Sequence, residues 1–170
     1  FDPKKLEAIN GDKIRALTID EFLDWSLPFL TKAGVVSGSA DEIALVKLAL
    51  PLIQERIIML SEVPAMLKFV FVKNFAVEAD SVAKITDDAS KQVLERSLKE
   101  LEPLATWTHE SIEAALRSSL IEEMGLKPRI AFGAVRIATT GSTISPPLFE
   151  SMELLGKEAS LARIRAGIKL

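Results

Sequence analysis

Thr18-Ile19-Asp20-Glu21 and Ser39-Ala40-Asp41-Glu42 share one arrangement, a hydroxyl followed three residues later by a carboxylate. In this capping-box spacing each side chain satisfies a backbone donor of the other residue, so each tetrad marks the start of a helix. The strict apolar-polar alternation that a half-buried strand requires is nearly absent. The chain is therefore expected to be all-α. Gly34 is placed to stop the first helix, and the second box leads into Ile43, Val46, Leu50, Ile53, Ile57 and Leu60 at steps of three and four. These form an apolar stripe, widened by Leu45, Leu48 and Leu52, and predict a central, buried helix. Pro51 lies inside it, and its ring clashes with the carbonyl four residues back, so the helix should kink or divide there.

Pro64 is placed to open a short helix through Met66, Leu67 and Val70, after which Lys73 to Asp80 has no clear period. A boundary falls there, dividing the chain into two packed helical bundles, residues 1–75 and 76–170. In the second, Val93, Leu94, Leu98 and Leu101 define one helix. Ile112, Ala115, Leu116 and Leu120 define the next, capped by Thr108 and stopped by Gly125, and Pro128 opens the segment bearing Arg136. No internal repeat is evident, which disfavours a solenoid.

The 170 residues, 48% of them hydrophobic, suffice to bury a core, and the absence of cysteine excludes disulfides, thiolate metal sites and cysteine nucleophiles. A reducing, cytoplasmic setting is expected, and no apolar run approaches the roughly 18 residues that would span a bilayer. No basic-then-apolar leader opens the chain, and its start at Phe1 suggests a piece excised from a longer protein. The only histidine, His109, follows a helix cap and has no nucleophile elbow to serve. Asp87-Asp88 and Glu122-Glu123 are neighbours that diverge by about 100° on a helix, so they do not converge on a metal or substrate. No catalytic residue and no metal site is expected. A net charge of −3 argues against a polyanionic partner if spread evenly. From Gly125 onward, however, Lys127, Arg129, Arg136, Lys157, Arg163, Arg165 and Lys169 face only Glu150, Glu153 and Glu158. Screening over about 8 Å lets such a patch act locally.

Near the end of the chain, Arg136 is followed by Gly141-Ser142 and then by Ser145-Pro146-Pro147-Leu148-Phe149-Glu150-Ser151-Met152-Glu153-Leu154-Leu155-Gly156-Lys157. Ser145 is placed to cap a helix, Pro146 to occupy its first position, and Gly156 to supply a left-handed stop. Arg136, Leu148 and Phe149 are left at one rigid corner where bases could be packed and hydrogen-bonded. This stretch resembles the C-terminal end of bacterial glutamyl-tRNA synthetases, which carry a similar Ser-Pro-Pro-Leu-Phe-Glu-Ser-x-Glu-Leu-Leu-Gly run. Phe1-Asp2-Pro3-Lys4-Lys5-Leu6, Asn10-Gly11-Asp12-Lys13-Ile14-Arg15 and Leu126-Lys127-Pro128-Arg129 are also similar to that family.

The resemblance implies the helical cage with which class I synthetases bind anticodons. It implies that Arg136, Thr143, Ser145, Pro146 and Leu148 contact the first two anticodon bases, that Arg56 reads the third, and that Lys127 and Arg129 contact phosphates. Leu148 is expected to be exposed to a base and Phe149 to be core. Measured on its own helix, Arg56 lies about 100° from the apolar stripe, free to project or to pair with Glu55 or Glu62. The implied partner is tRNA(Glu), with tRNA(Gln) a second candidate, and the chain is expected to act as a monomer. ATP and Mg belong to the catalytic domain of the full-length ligase, whose His-Ile-Gly-His-like and Lys-Met-Ser-Lys-Ser-like elements do not occur in this sequence, so no cofactor is expected in these residues and they should be inactive alone. From another class, a helical protein-interaction module also fits stacked amphipathic helices with an acidic surface.

Overall fold

The computed structural model describes residues 2–170, so Phe1 of the opening motif lies outside them. The described residues form helices and turns without a strand, in two compact units, one ending at Lys73 and one running from Asn74 to Leu170.

The first unit contains α1 (Pro3–Ala16), α2 (Ile19–Lys32), α3 (Ala40–Ala49) and α4 (Val63–Phe71). Asp2 caps α1, accepting from Lys4 N at 3.1 Å. Both capping boxes form as the spacing requires, with Thr18 and Glu21 on α2 and Ser39 and Glu42 on α3. Glu42 also accepts from Ser37 N and Oγ and from Gly38 N, which holds its carboxyl at about 2, well below the usual carboxylate value. After α2, Gly34 adopts φ 70°, the left-handed turn expected of it.

The stripe that predicted one long helix is buried at Val46, Leu50, Ile53 and Ile57, but α3 ends at Ala49. Pro51 divides the stripe, as expected, but no second helix follows: a single 3-10 turn, Leu50–Leu52, is succeeded by irregular residues 53–59. Side chains take over from the lost helical ladder. Gln54 Nε2 donates to the carbonyls of Ile14 and Leu17, both at 2.9 Å, Asn10 Nδ2 donates to Ile58 O, and Glu62 accepts from Ile58 N and Met59 N. Leu48, expected to widen the core stripe, is 67% exposed, because within α3 it lies about 200° round the helix from buried Val46.

The second unit contains α5 (Ala79–Val82), α6 (Asp88–Leu101), α7 (His109–Leu116), α8 (Pro128–Thr140), α9 (Leu148–Leu155) and α10 (Lys157–Ile168). From α7 the chain continues as a π-helix through Glu123, and Gly125 ends it at φ 69°. Helices α6, α8 and α10 pack on one another, and α7 packs on α9. Leu94, Leu101, Ile112, Leu116, Leu120, Val135, Met152 and Ile164 are fully buried between them. Each such side chain contributes roughly 1.5–3 kcal/mol relative to exposure. Tryptophan and serine finish the end of α9: Trp107 Nε1 at 2.9 Å and Ser160 Oγ at 3.2 Å donate to Met152 O. Gly156 then joins α9 directly to α10. Its φ of 84° is positive as anticipated, but with ψ 162° it is extended rather than left-handed helical.

Candidate nucleic-acid interface

Helix α8 shows how local sequence builds one wall of a site. Pro128 opens it where a missing N–H removes no intrahelical bond, and Gly141 closes it at φ 84°. Ala131, Val135 and Ala138 face the core and are fully buried. The outer side carries Arg129, Ile130, Gly133 and Arg136, which recur at helical spacing and, with the buried flanking residues Ala134 and Ile137, line a groove of about 600 Å³. Lys84 from the turn after α5, Ser90 from the first turn of α6 and Thr143 from the loop after α8 complete its lining. The lining holds Lys84, Arg129 and Arg136 and no carboxylate, on a chain whose net charge is −3. Such a concave cationic surface attracts an anion irrespective of the sign of the whole molecule.

Arg136 is braced within the groove. Its Nη1 donates to Ser145 Oγ and, at 2.9 Å, to Pro146 O, while Ser145 Oγ donates to the same carbonyl at 2.7 Å. Ser145 is therefore buried under the guanidinium and does not cap a helix. The consecutive prolines hold the backbone extended at Pro147 (φ −48°, ψ 135°), so α9 begins only at Leu148, without a side-chain cap. That shift reverses the expected division of labour at the next pair. Leu148 is 3% exposed and lies in the core with Ser151 and Met152, whereas Phe149 is half-buried and packs edge-on against Phe132, centroids 5.2 Å apart. The exposed apolar residue of the loop is Ile144, at 74%.

The loop is anchored from behind. Arg163 donates to Thr139 O at 2.8 Å and stacks over the Phe75 ring at 3.9 Å, and burial pulls its guanidinium down to about 10, still protonated at neutral pH. Gly141 O accepts from Glu78 N at 2.9 Å, and a Cβ on Gly141 would stand 3.2 Å from both Ala76 O and the Phe75 ring. Below the other end of α9, His109 Nδ1 meets Glu153 at 2.6 Å, which raises the imidazole pKa and lowers that of the carboxyl. The lone histidine thus ties α7 to α9.

The expected site residues are sorted by this geometry. Arg129, Arg136 and Thr143 line one groove, with Ser145 and Pro146 supporting it from within the fold. Lys127 is exposed immediately before α8 but is not part of the lining. The positive C-terminal quarter is less uniform than its composition, since Lys157 donates to Leu104 O at 2.7 Å and Arg165 pairs with Glu102 at 2.5 Å. Arg56 belongs to the first unit. It lies not on a helix, as its spacing predicted, but on the irregular segment after Pro51, exposed and without a side-chain partner among the described residues. Glu62, one of its expected partners, is committed to backbone N–H groups. Lys84, Ser90 and Gly133 were missed by sequence reasoning. The spacing of Arg129, Gly133 and Arg136 could have revealed the glycine, but no local signal reveals Lys84.

A model of the anticodon binding domain family matches residues 15–168. Glutamate-tRNA ligase of Saccharopolyspora erythraea is 47% identical over 169 residues, and that of Paenarthrobacter aurescens 46% over 175. Each alignment covers 98% of this chain, which spans about a third of the length of these curated relatives. The crystal structure of a glutamate tRNA ligase from Elizabethkingia meningosepticum, in complex with its amino acid, shares the fold at TM-score 0.76 and 19% identity, over 99% of this chain and 32% of the other. The chain belongs to the family of anticodon-binding domains.

Proposed function

We propose that this chain is the anticodon-reading part of a glutamate-tRNA ligase, holding the anticodon loop of tRNA(Glu) while a catalytic part outside these residues attaches glutamate. The observation that carries the reading is the carboxylate-free groove in which Arg136, Arg129 and Thr143 meet. Unpaired loop bases offer edges for hydrogen bonds and faces for stacking. Arg136, braced by Ser145 and Pro146, meets the first two bases together with Thr143, and Ile144 supplies the apolar surface that buried Leu148 does not. Arg56 reads the third base from the first unit, where its donor-only guanidinium suits the acceptors on the pairing edge of cytosine better than the N–H donors on that of guanine, and so favours tRNA(Glu) over tRNA(Gln). Lys127 and Arg129 hold phosphates. ATP and magnesium are assigned to the catalytic part of the ligase. The ligase works as a monomer in the cytoplasm.

Binding of isolated anticodon stem-loops with single-base changes tests this. The glutamate anticodon should bind tightest, and log affinity should fall linearly with log salt, by roughly 0.7 per neutralised phosphate. Equal affinity for every loop sequence would leave only sequence-blind anion binding, and no salt-dependent RNA binding at all would favour a protein-interaction module.

A further inference from the structure

Arg136 and Thr143 account for one part of the groove, but its lining extends along α8 to Gly133 and Arg129 and across to Lys84. The arginines elsewhere in the second unit are already engaged, whereas Lys91, Lys99, Lys127 and Lys169 also have no ion pair among the described residues but do not line the groove. Arg96 pairs with Glu100 and Glu123, Arg117 with Glu113 and Arg165 with Glu102. Lys84 and Arg129 have no ion pair or side-chain hydrogen bond among the described residues, although both border the same concave space. Asp87, which is close in sequence to Lys84, forms no ion pair with it. Its carboxylate accepts from Ser90 N at 2.9 Å and Ser90 Oγ at 2.7 Å as the cap of α6, and these bonds hold its pKa below the usual aspartate value. Ser90 Oγ also reaches Lys84 O at 3.3 Å, linking the lysine-bearing turn to the start of α6.

Gly133 adds an independent sign. It is interior to α8, where glycine costs about 1 kcal/mol relative to alanine. No packing partner requires it, because an added Cβ would meet nothing within 4 Å. A glycine in a helix interior with open space above it leaves room for a ligand to approach the backbone closely.

We propose that Lys84 and Arg129, on either side of the bare helix surface at Gly133, seat a backbone phosphate of the bound RNA. The strand whose bases meet Arg136 and Thr143 is thereby held in register by its phosphodiester. The proposal rests on the anticodon-reading function and extends it to Lys84 and Gly133. A phosphate contact fixes position without reading sequence, so Lys84 should contribute to affinity for every loop and to discrimination among none.

The experiment is a phosphate scan. Anticodon stem-loops carrying one neutral methylphosphonate at each loop position in turn are bound to the 170-residue chain, to Lys84→Ala and to Gly133→Leu. Unmodified loops are titrated in parallel from 0.05 to 0.5 M KCl. Lys84→Ala should weaken all loop sequences equally, by roughly fourfold near 0.15 M salt, and flatten the salt slope by about 0.7. One methylphosphonate position that weakens binding to the parent chain should have no further effect on Lys84→Ala. Gly133→Leu, a better helix former, should melt at the same or a higher temperature yet bind every loop more weakly. If the parent chain discriminates anticodons but Lys84→Ala leaves affinity, slope and methylphosphonate pattern unchanged, the phosphate seat is refuted and the anticodon reading stands. If the parent chain does not discriminate anticodons, both are refuted.

Discussion

Arg136 and Arg56 belong to different units and are held in opposite ways. Arg136 stands on a helix and is braced by a buried serine and a proline carbonyl, so much of its ordering is complete before any ligand arrives. Arg56 stands on a helix-free segment whose backbone is pinned by Asn10, Gln54 and Glu62, while its own side chain is unpartnered among the described residues. The first is a preorganised contact, and the second is an exposed, unpartnered side chain on a fixed platform. Ordering a long side chain on binding costs about 0.5–1.5 kcal/mol, so the same guanidinium should yield more net discrimination from the braced position.

The most damaging test of the braced side is Gly141→Ala. It combines positive φ with a Cβ 3.2 Å from Ala76 O, and should destabilise the second unit by about 2–3 kcal/mol in a denaturant melt. Discrimination at the first two anticodon bases should fall while the third is unaffected, and an unchanged melt would show that the loop is not anchored as described. Arg136→Ala comes next, with an expected loss of about 2 kcal/mol in binding, concentrated at those two bases. On the other side, Gln54→Ala strands the Ile14 and Leu17 carbonyls and should cost the first unit about 1–2 kcal/mol of stability. It should also loosen the platform and blur reading of the third base. Arg56→Gln should leave stability unchanged and cost about 1 kcal/mol, at the third base alone. A loss as large as that of Arg136→Ala would erase the proposed contrast between the two arginines.

The smallest effect is one of pH. The imidazole pKa of His109 is raised by Glu153, so this tie between α7 and α9 is complete below the ordinary value of about 6.5. It is lost as pH rises through the folded-state value. Stability of the second unit should therefore decline slightly from pH 6 to pH 8, and His109→Gln should remove the dependence.

Much of the scaffold was legible because its signals are short-range. A capping box joins residues three apart, so Thr18 with Glu21 and Ser39 with Glu42 form whatever surrounds them. The positive φ of Gly34, Gly125 and Gly156 reflects the same locality. Arg136 and its loop were legible as a motif. The misplaced residues share a different cause. Leu148 and Phe149 are neighbours of equal hydrophobicity, and only the two-residue delay imposed by the prolines decides which faces the core. Beyond Pro51, Ile53, Ile57 and Leu60 continue the helical spacing although the segment is not a helix, because burial alone produces the same pattern, and Gln54 shows that distant carbonyls replaced the ladder.

By itself, then, the chain's order of residues determined an all-helical fold and where several helices begin, since each follows from forces acting within a few residues. Tertiary structure alone decided that Lys84 joins Arg129 and Gly133 in one groove and that Arg56 projects from an irregular platform. Those pairings link residues far apart in sequence, and they exist only after buried side chains have chosen which faces of the helices meet.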